Sequence, residues 1–246
     1  MITGAQNQAP GRRARLLTGA ELVAAGAVLA LVPREATGTP GVWLLGALLV
    51  LGSLCLWLRG GSWSDVGLGG AAAGQRAEWH VLLGLALGAL AALAASFAVG
   101  PGLAAVTSRS LDAGVPAAVQ DSAVALALAL LVAWVHALGA EMIFRGWLLD
   151  RAEALWPAGA ASDGGEDSDG GAAGEAFGPL VLAGLAYGWY LGDGSAGSLA
   201  SGALLGVGLC LLRRAGQSLT LPIATHGAYA STHVVLVYAG VLGGSG

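Results

Sequence analysis

Residues 122–149 read SAVALALALLVAWVHALGAEMIFRGWLL. The run exceeds the ~20 apolar residues that a bilayer core requires, so a helix through it must tilt, kink or protrude. Its only ionisable side chains are His136, Glu141 and Arg145, the last two one helical turn apart near its end. A soluble domain carries roughly 25% charged residues. This chain of 246 residues is 56% hydrophobic and 11% charged, with a mean hydropathy of +0.72. It lacks the polar surface of a soluble protein. In lipid the backbone must satisfy its own hydrogen bonds, and the pattern here gives an all-α polytopic membrane helix bundle.

Outward from that stretch, the apolar pattern predicts about seven transmembrane helices: Leu17–Pro33, Val42–Leu58, Trp79–Val99, Ser122–Leu149, Phe177–Gly192, Ser195–Leu212 and Leu219–Leu242. Arginine placement orients them. A cytoplasmic N-terminus puts Arg12, Arg13, Arg15, Arg59, Arg76, Arg151, Arg213 and Arg214 inside, against Arg34 and Arg109 outside. An odd number of spans then leaves the C-terminus outside. The expected location is the cell (inner) membrane of a bacterium, with no cleavable signal ahead of the first span. The organisation follows: a cytoplasmic tail (1–16), N-terminal transmembrane helices (17–117) and a C-terminal transmembrane core (118–242) holding a flexible acidic loop at 158–176.

That loop carries ASDGGEDSDGGAAGE (161–175), which has too little apolar surface to fold. It supplies much of the net charge of −4, which therefore says nothing of nucleic acid, and no nucleic-acid partner is expected. Cys55 and Cys210 lie within apolar runs and read as small packing residues. Gly184, Gly188 and Gly192, and again Gly202 and Gly206, recur at the four-residue spacing that lets helix backbones approach closely in lipid. Glu21 sits just inside the first span, within reach of Arg12 and Arg15. Trp43, Trp57, Trp79, Trp147 and Trp156 fall near span ends, as interfacial anchors do. Trp189, beside Tyr190, is placed to wall a cavity. Asp193 reads as an outer loop residue and His80 as interfacial.

Glu141 and Arg145 stand at i and i+4, so they share a helical face and can pair. Either charge alone costs several kcal/mol at the bilayer centre, and intramembrane ionisable groups usually face a cavity and mark function. The pair alone fits a structural ion pair and part of a site equally well.

AEMIFRGWLL (140–149) resembles the first motif of the CPBP family, intramembrane endopeptidases that include type II CAAX prenyl proteases and bacteriocin-processing or self-immunity proteins. That motif is two adjacent glutamates, three residues and an arginine, followed by glycine and an apolar residue. LVLAGLAYGWYL (180–191) is similar to the family's second motif helix. LLRRAGQSLTLPIATHGAYA (211–230) is similar to its arginine-bearing turn and final helix. The resemblance covers roughly Ala118 to Tyr238.

It implies peptide-bond hydrolysis in an intramembrane cavity, on a membrane-associated or prenylated peptide, with lipid as the surroundings. It also implies a glutamate that activates water, two histidines, an asparagine or aspartate, and, by the family label, a divalent metal such as zinc. On this chain the first glutamate's position holds Ala140 and the second is Glu141. The second-motif histidine falls on Tyr190, its preceding phenylalanine on Ala186, and the asparagine on Ala230. The candidate catalytic residues are accordingly Glu141, His226, Tyr190 and Arg145. At ~1.5 Å of rise per residue, Glu141, Tyr190 and His226 lie within about 10 Å of one depth. His136, five residues before Glu141, is expected to hydrogen-bond to another helix. His233, two turns beyond His226, shares its face. Alanine neither activates water nor binds metal. The resemblance therefore leaves two expectations: an endopeptidase built on an atypical site, or a catalytically degenerate relative acting as a membrane binding or immunity-type protein. A transporter ranks below both, because the spans carry few polar residues and no inverted repeat.

Overall fold

The computed structural model describes residues 12–31, 42–68, 77–99, 119–120, 122–156, 177–191 and 196–242. Among them run seven long helices and no strand: α1 (Arg12–Leu31), α2 (Val42–Leu58), α3 (Ala77–Ala94), α4 (Ala123–Leu155), α5 (Phe177–Leu191), α6 (Ala196–Gly216) and α7 (Thr220–Tyr238). Helices α1, α3, α4 and α6 are long and apolar enough to cross a membrane, while α2 and α5 are shorter apolar helices. Their lipid-facing surfaces carry exposed leucine, valine and tryptophan, as the bilayer permits. The chain is a helical bundle of a polytopic membrane protein, as its composition requires.

Helix α7 carries polar side chains into the interior of the bundle. Its buried residues include Thr225, His226 and His233, and it packs against α3, α4 and α6. Small residues let it do so. On α3, Gly84 and Gly88 face α7 so closely that a Cβ on Gly88 would stand 2.1 Å from the Thr225 carbonyl oxygen. The glycine spacing read from the sequence serves the α5–α6 contact in the same way. A Cβ on Gly202 would lie 2.7 Å from the Cα of Gly188, and one on Gly206 2.8 Å from that of Gly184. Backbone packs directly on backbone there, which is how helices gain contact where lipid offers no hydrophobic drive.

Several details depart from the sequence expectations. Helix α1 begins at Arg12, ahead of the expected Leu17, so its first turn uses residues assigned to the tail. The Glu21 carboxylate accepts from Arg59 Nε at 2.6 Å and Arg151 Nε at 2.7 Å, tying α1 to the ends of α2 and α4. Trp147 is no interfacial anchor but wholly buried in the core beside Leu44, Leu48 and Phe144. Trp189 is half-exposed, its indole N–H donating to the Leu29 carbonyl. Residues 1–11, the acidic segment 158–176, Gly192 and Asp193 lie outside the described residues.

The Glu21 clasp makes a direct expectation. Its side chain is only 12% exposed, and hydrogen bonds to charged groups contribute about 1.5–3 kcal/mol. Glu21→Gln keeps the shape but removes the charge that two guanidinium groups share. It should lower unfolding stability in detergent by about 2 kcal/mol. Glu21→Asp, which is too short to span both arginines, should recover less than half of that.

Candidate functional site: a buried carboxylate–imidazole–phenol chain

Helix α4 starts at Ser122, whose hydroxyl accepts from the Ala125 N–H and caps the first turn. It runs as an α-helix to Glu141, winds as a π-helix over Met142–Leu148, and resumes as an α-helix over Leu149–Leu155. The wider turn begins directly after Glu141 and contains Arg145. Such segments recur at functional sites because they re-aim side chains at the cost of regular hydrogen bonds. Every residue from Ile143 to Leu149 is buried, more than one face of a regular helix could bury. Gly146 lets Leu219 and Val66 close over the turn, their side chains 3.2 and 3.4 Å from where a Cβ would stand.

Glu141 is completely buried, and its Oε1 accepts two hydrogen bonds, from Arg145 Nη1 at 3.1 Å and from His226 Nδ1 at 2.8 Å. Oε2 meets no protein donor. Arg145 is equally buried. Its Nη2 donates to the Gly206 carbonyl at 3.3 Å, and its guanidinium lies over the Tyr187 ring, 4.0 Å from the centroid. The flat cation is thus held by a carboxylate, a carbonyl and an aromatic face. His226 completes the chain through Nε2, 3.2 Å from the Tyr187 hydroxyl. With Nδ1–H donating to the ionised carboxylate, the neutral imidazole accepts at Nε2 and Tyr187 donates.

A second imidazole–phenol pair lies against the first. His136 Nε2 is 2.5 Å from the Tyr190 hydroxyl, the two rings stack, and the His136 ring meets His226 edge-on at 5.9 Å. Phe144 contacts both tyrosines, with centroids at 5.3 Å. Four helices therefore meet at this point: α4 supplies His136, Glu141 and Arg145, α5 both tyrosines, α6 the Gly206 carbonyl and α7 His226.

All four residues singled out in the sequence are here, though not in equal roles. Glu141, Arg145 and His226 touch one another, whereas Tyr190 is bonded to His136. The interhelical hydrogen bond expected for His136 exists, and it draws that residue into the cluster. His233 faces elsewhere, its Nδ1 3.4 Å from the Ser96 hydroxyl of the α3 extension and its ring on Tyr229. Tyr187 was not singled out, and it is the residue that binds His226. The signal was present: it lies three residues before Tyr190, on the same face, between Gly184 and Gly188, whose small size admits a large ring to a tight seam.

Residues 122–232, from the α4 cap to beyond His226, match the family described as type II CAAX prenyl endopeptidase Rce1-like. Over these residues the chain carries an Rce1-like CAAX-protease domain. No curated protein and no solved structure matches it. The Rce1-like region contains every residue of the polar cluster, and α1–α3 lie outside it.

The family label implies a metal, which the donor set here does not fit. Among the described residues no group of three or more histidine, cysteine, aspartate or glutamate side chains is placed to hold one. The same Glu141 oxygen already accepts from a guanidinium, whose fixed charge would repel a second cation. Ala140 and Ala230 offer no ligand atom, and the nearby phenols are hydrogen-bonded to imidazoles. No step is therefore routed through a metal.

Proposed function

We propose that this membrane-embedded CAAX-protease relative keeps the family bundle without its hydrolytic chemistry. It acts as a binding protein for a membrane-associated or prenylated peptide, with its arginine-rich end in the cytoplasm of a bacterial cell. The observation that carries this reading is the double engagement of Glu141 Oε1. A general base must present a lone pair to water, within reach of the carbonyl under attack. Here Arg145 and His226 both claim the one carboxylate that remains, and the neighbouring family positions hold Ala140 and Ala230. Peptide hydrolysis also needs donors for the oxyanion. The Nη groups of Arg145 are bonded to Glu141 and Gly206, and the Tyr187 and Tyr190 hydroxyls to imidazoles.

One feature favours hydrolysis instead. Glu141 Oε2 is buried without a protein partner, and a buried carboxylate oxygen of that kind is where a reactive water would sit. The two readings separate cleanly with purified protein in proteoliposomes and prenylated CAAX-type peptides. Binding without hydrolysis predicts saturable photocrosslinking of the peptide and no cleavage above that of Glu141→Gln. Cleavage lost in both Glu141→Gln and His226→Ala would establish a hydrolase and overturn the proposal. Absence of saturable crosslinking would overturn the peptide-binding half of it.

A further inference from the structure

The polar end of the bundle holds an arginine that the ion-pair network leaves over. Arg214 donates through Nε and Nη2 to Glu153. Arg151 is shared by Asp150 and Glu21, Arg59 binds Glu21, and Arg145 binds Glu141. Among the described residues, Arg213 has no carboxylate in hydrogen-bond contact. It is nonetheless held in place, with Nη2 3.4 Å from the Val66 carbonyl and the guanidinium laid on Gly67. Gly67 has φ +103°, and a Cβ there would be 2.6 Å from Arg213 Nη2, so the turn before α3 accommodates this cation through a residue that must be glycine.

Arg213 lines a cleft between the ends of α4 and α6 with Arg145, Asp150, Glu153 and Arg214, and its volume of about 60 Å³ admits a small polar group. Two arginines of its lining, Arg145 (1% exposed) and Arg213, carry an Nε–H that meets no acceptor in the protein. Asp150 and Glu153 act on Arg213 through space, but their hydrogen bonds go to Arg151 and Arg214. An ordered, part-buried guanidinium with no carboxylate hydrogen-bonded to it among the described residues, beside a second one with a vacant donor, is complementary to a phosphate monoanion. Trp57 and Trp156, 72% and 47% exposed, flank the ends of α2 and α4 and mark this level as the headgroup layer.

We propose that the cleft binds a phosphate group through Arg213 and Arg145, supplied by the headgroup of an anionic phospholipid. Basic pockets between transmembrane helices are a known setting for such recognition. The test uses the full chain in detergent, titrated with phosphatidylglycerol or phosphatidylcholine, bound lipid being counted by native mass spectrometry. Inorganic phosphate and glycerol 3-phosphate serve as soluble competitors. The proposal expects saturable retention of phosphatidylglycerol over phosphatidylcholine and about a tenfold loss of its affinity in Arg213→Gln. Arg15→Gln, on the exposed first turns of α1 and outside the cleft lining, should bind as wild type.

Should Arg213→Gln fail to fold, Arg213→Lys keeps the charge without the planar fork and should still lose selectivity. Equal retention of the two lipids, or unchanged affinity in Arg213→Gln and Arg213→Lys, would overturn the site. Competition by inorganic phosphate with no preference between lipids would assign the cleft to a soluble anion and overturn the lipid source. The test reads Arg213, which is not bonded to the Glu141 cluster, so its failure leaves the peptide-binding reading untouched.

Discussion

Arg145→Ala lowers the unfolding stability of the purified protein by about 3–5 kcal/mol, the range for breaking a buried ion pair from one side. The magnitude comes from what remains rather than from what is removed. Glu141 is fully buried, and the deletion takes away its guanidinium partner along with the bond to the Gly206 carbonyl and the cation over Tyr187. One imidazole N–H then faces the whole charge. The double variant Arg145→Ala with Glu141→Gln should recover a large part of the loss, because a neutral amide still accepts from His226 without the penalty of a bare carboxylate. Denaturation in a mild detergent, followed by intrinsic tryptophan fluorescence, reads both. If the single variant unfolds as wild type does, Glu141 and Arg145 do not form a buried pair.

Gly88→Ala should be comparably damaging although it adds one methyl group. The new Cβ would stand 2.1 Å from the Thr225 carbonyl oxygen, 2.8 Å from the Ala228 Cβ and 2.9 Å from the Tyr229 N–H, all on α7. Two of these are backbone atoms, so no rotamer relieves the clash and the helices must separate. Overpacking of this kind costs about 1–3 kcal/mol, and a backbone contact belongs at the upper end. Gly46→Ala, whose Cβ would meet nothing within 4 Å, is the matched control and should be neutral or slightly stabilising. Equal stability of the two variants would refute the close α3–α7 approach. Because His226 rides on α7, the Gly88 variant should also weaken peptide crosslinking, and the Gly46 variant should not.

The bundle was legible in the sequence because hydropathy over ~20 residues is a coarse signal that lipid enforces strictly. The Val42–Leu58 helix has the bounds that the apolar run predicts. The start of α1 was not legible, since a helix continues through Arg12–Leu16 in the aqueous layer where hydropathy is silent. Within the site, the Glu141–Arg145 pair followed from spacing alone. The His226–Glu141 bond joins residues 85 apart, and only the family resemblance brought them together beforehand. Tyr187 is not legible from the motif, whose histidine position falls on Tyr190 one turn later. The partners of Glu21 were missed for a related reason: proximity in sequence favoured Arg12 and Arg15, while the fold delivers Arg59 and Arg151 from other helices.

The direct backbone contact of α5 with α6 limits how this protein can yield. With Gly184 against Gly206 and Gly188 against Gly202, neither helix can rotate about its own axis without driving a larger neighbouring residue into the seam. The two must travel as one rigid plank. Admission of a guest then belongs to the borders of that plank with α1 and α4, where the contacts are made by side chains that can swing aside, and the tyrosines on α5 would move with it as a single latch.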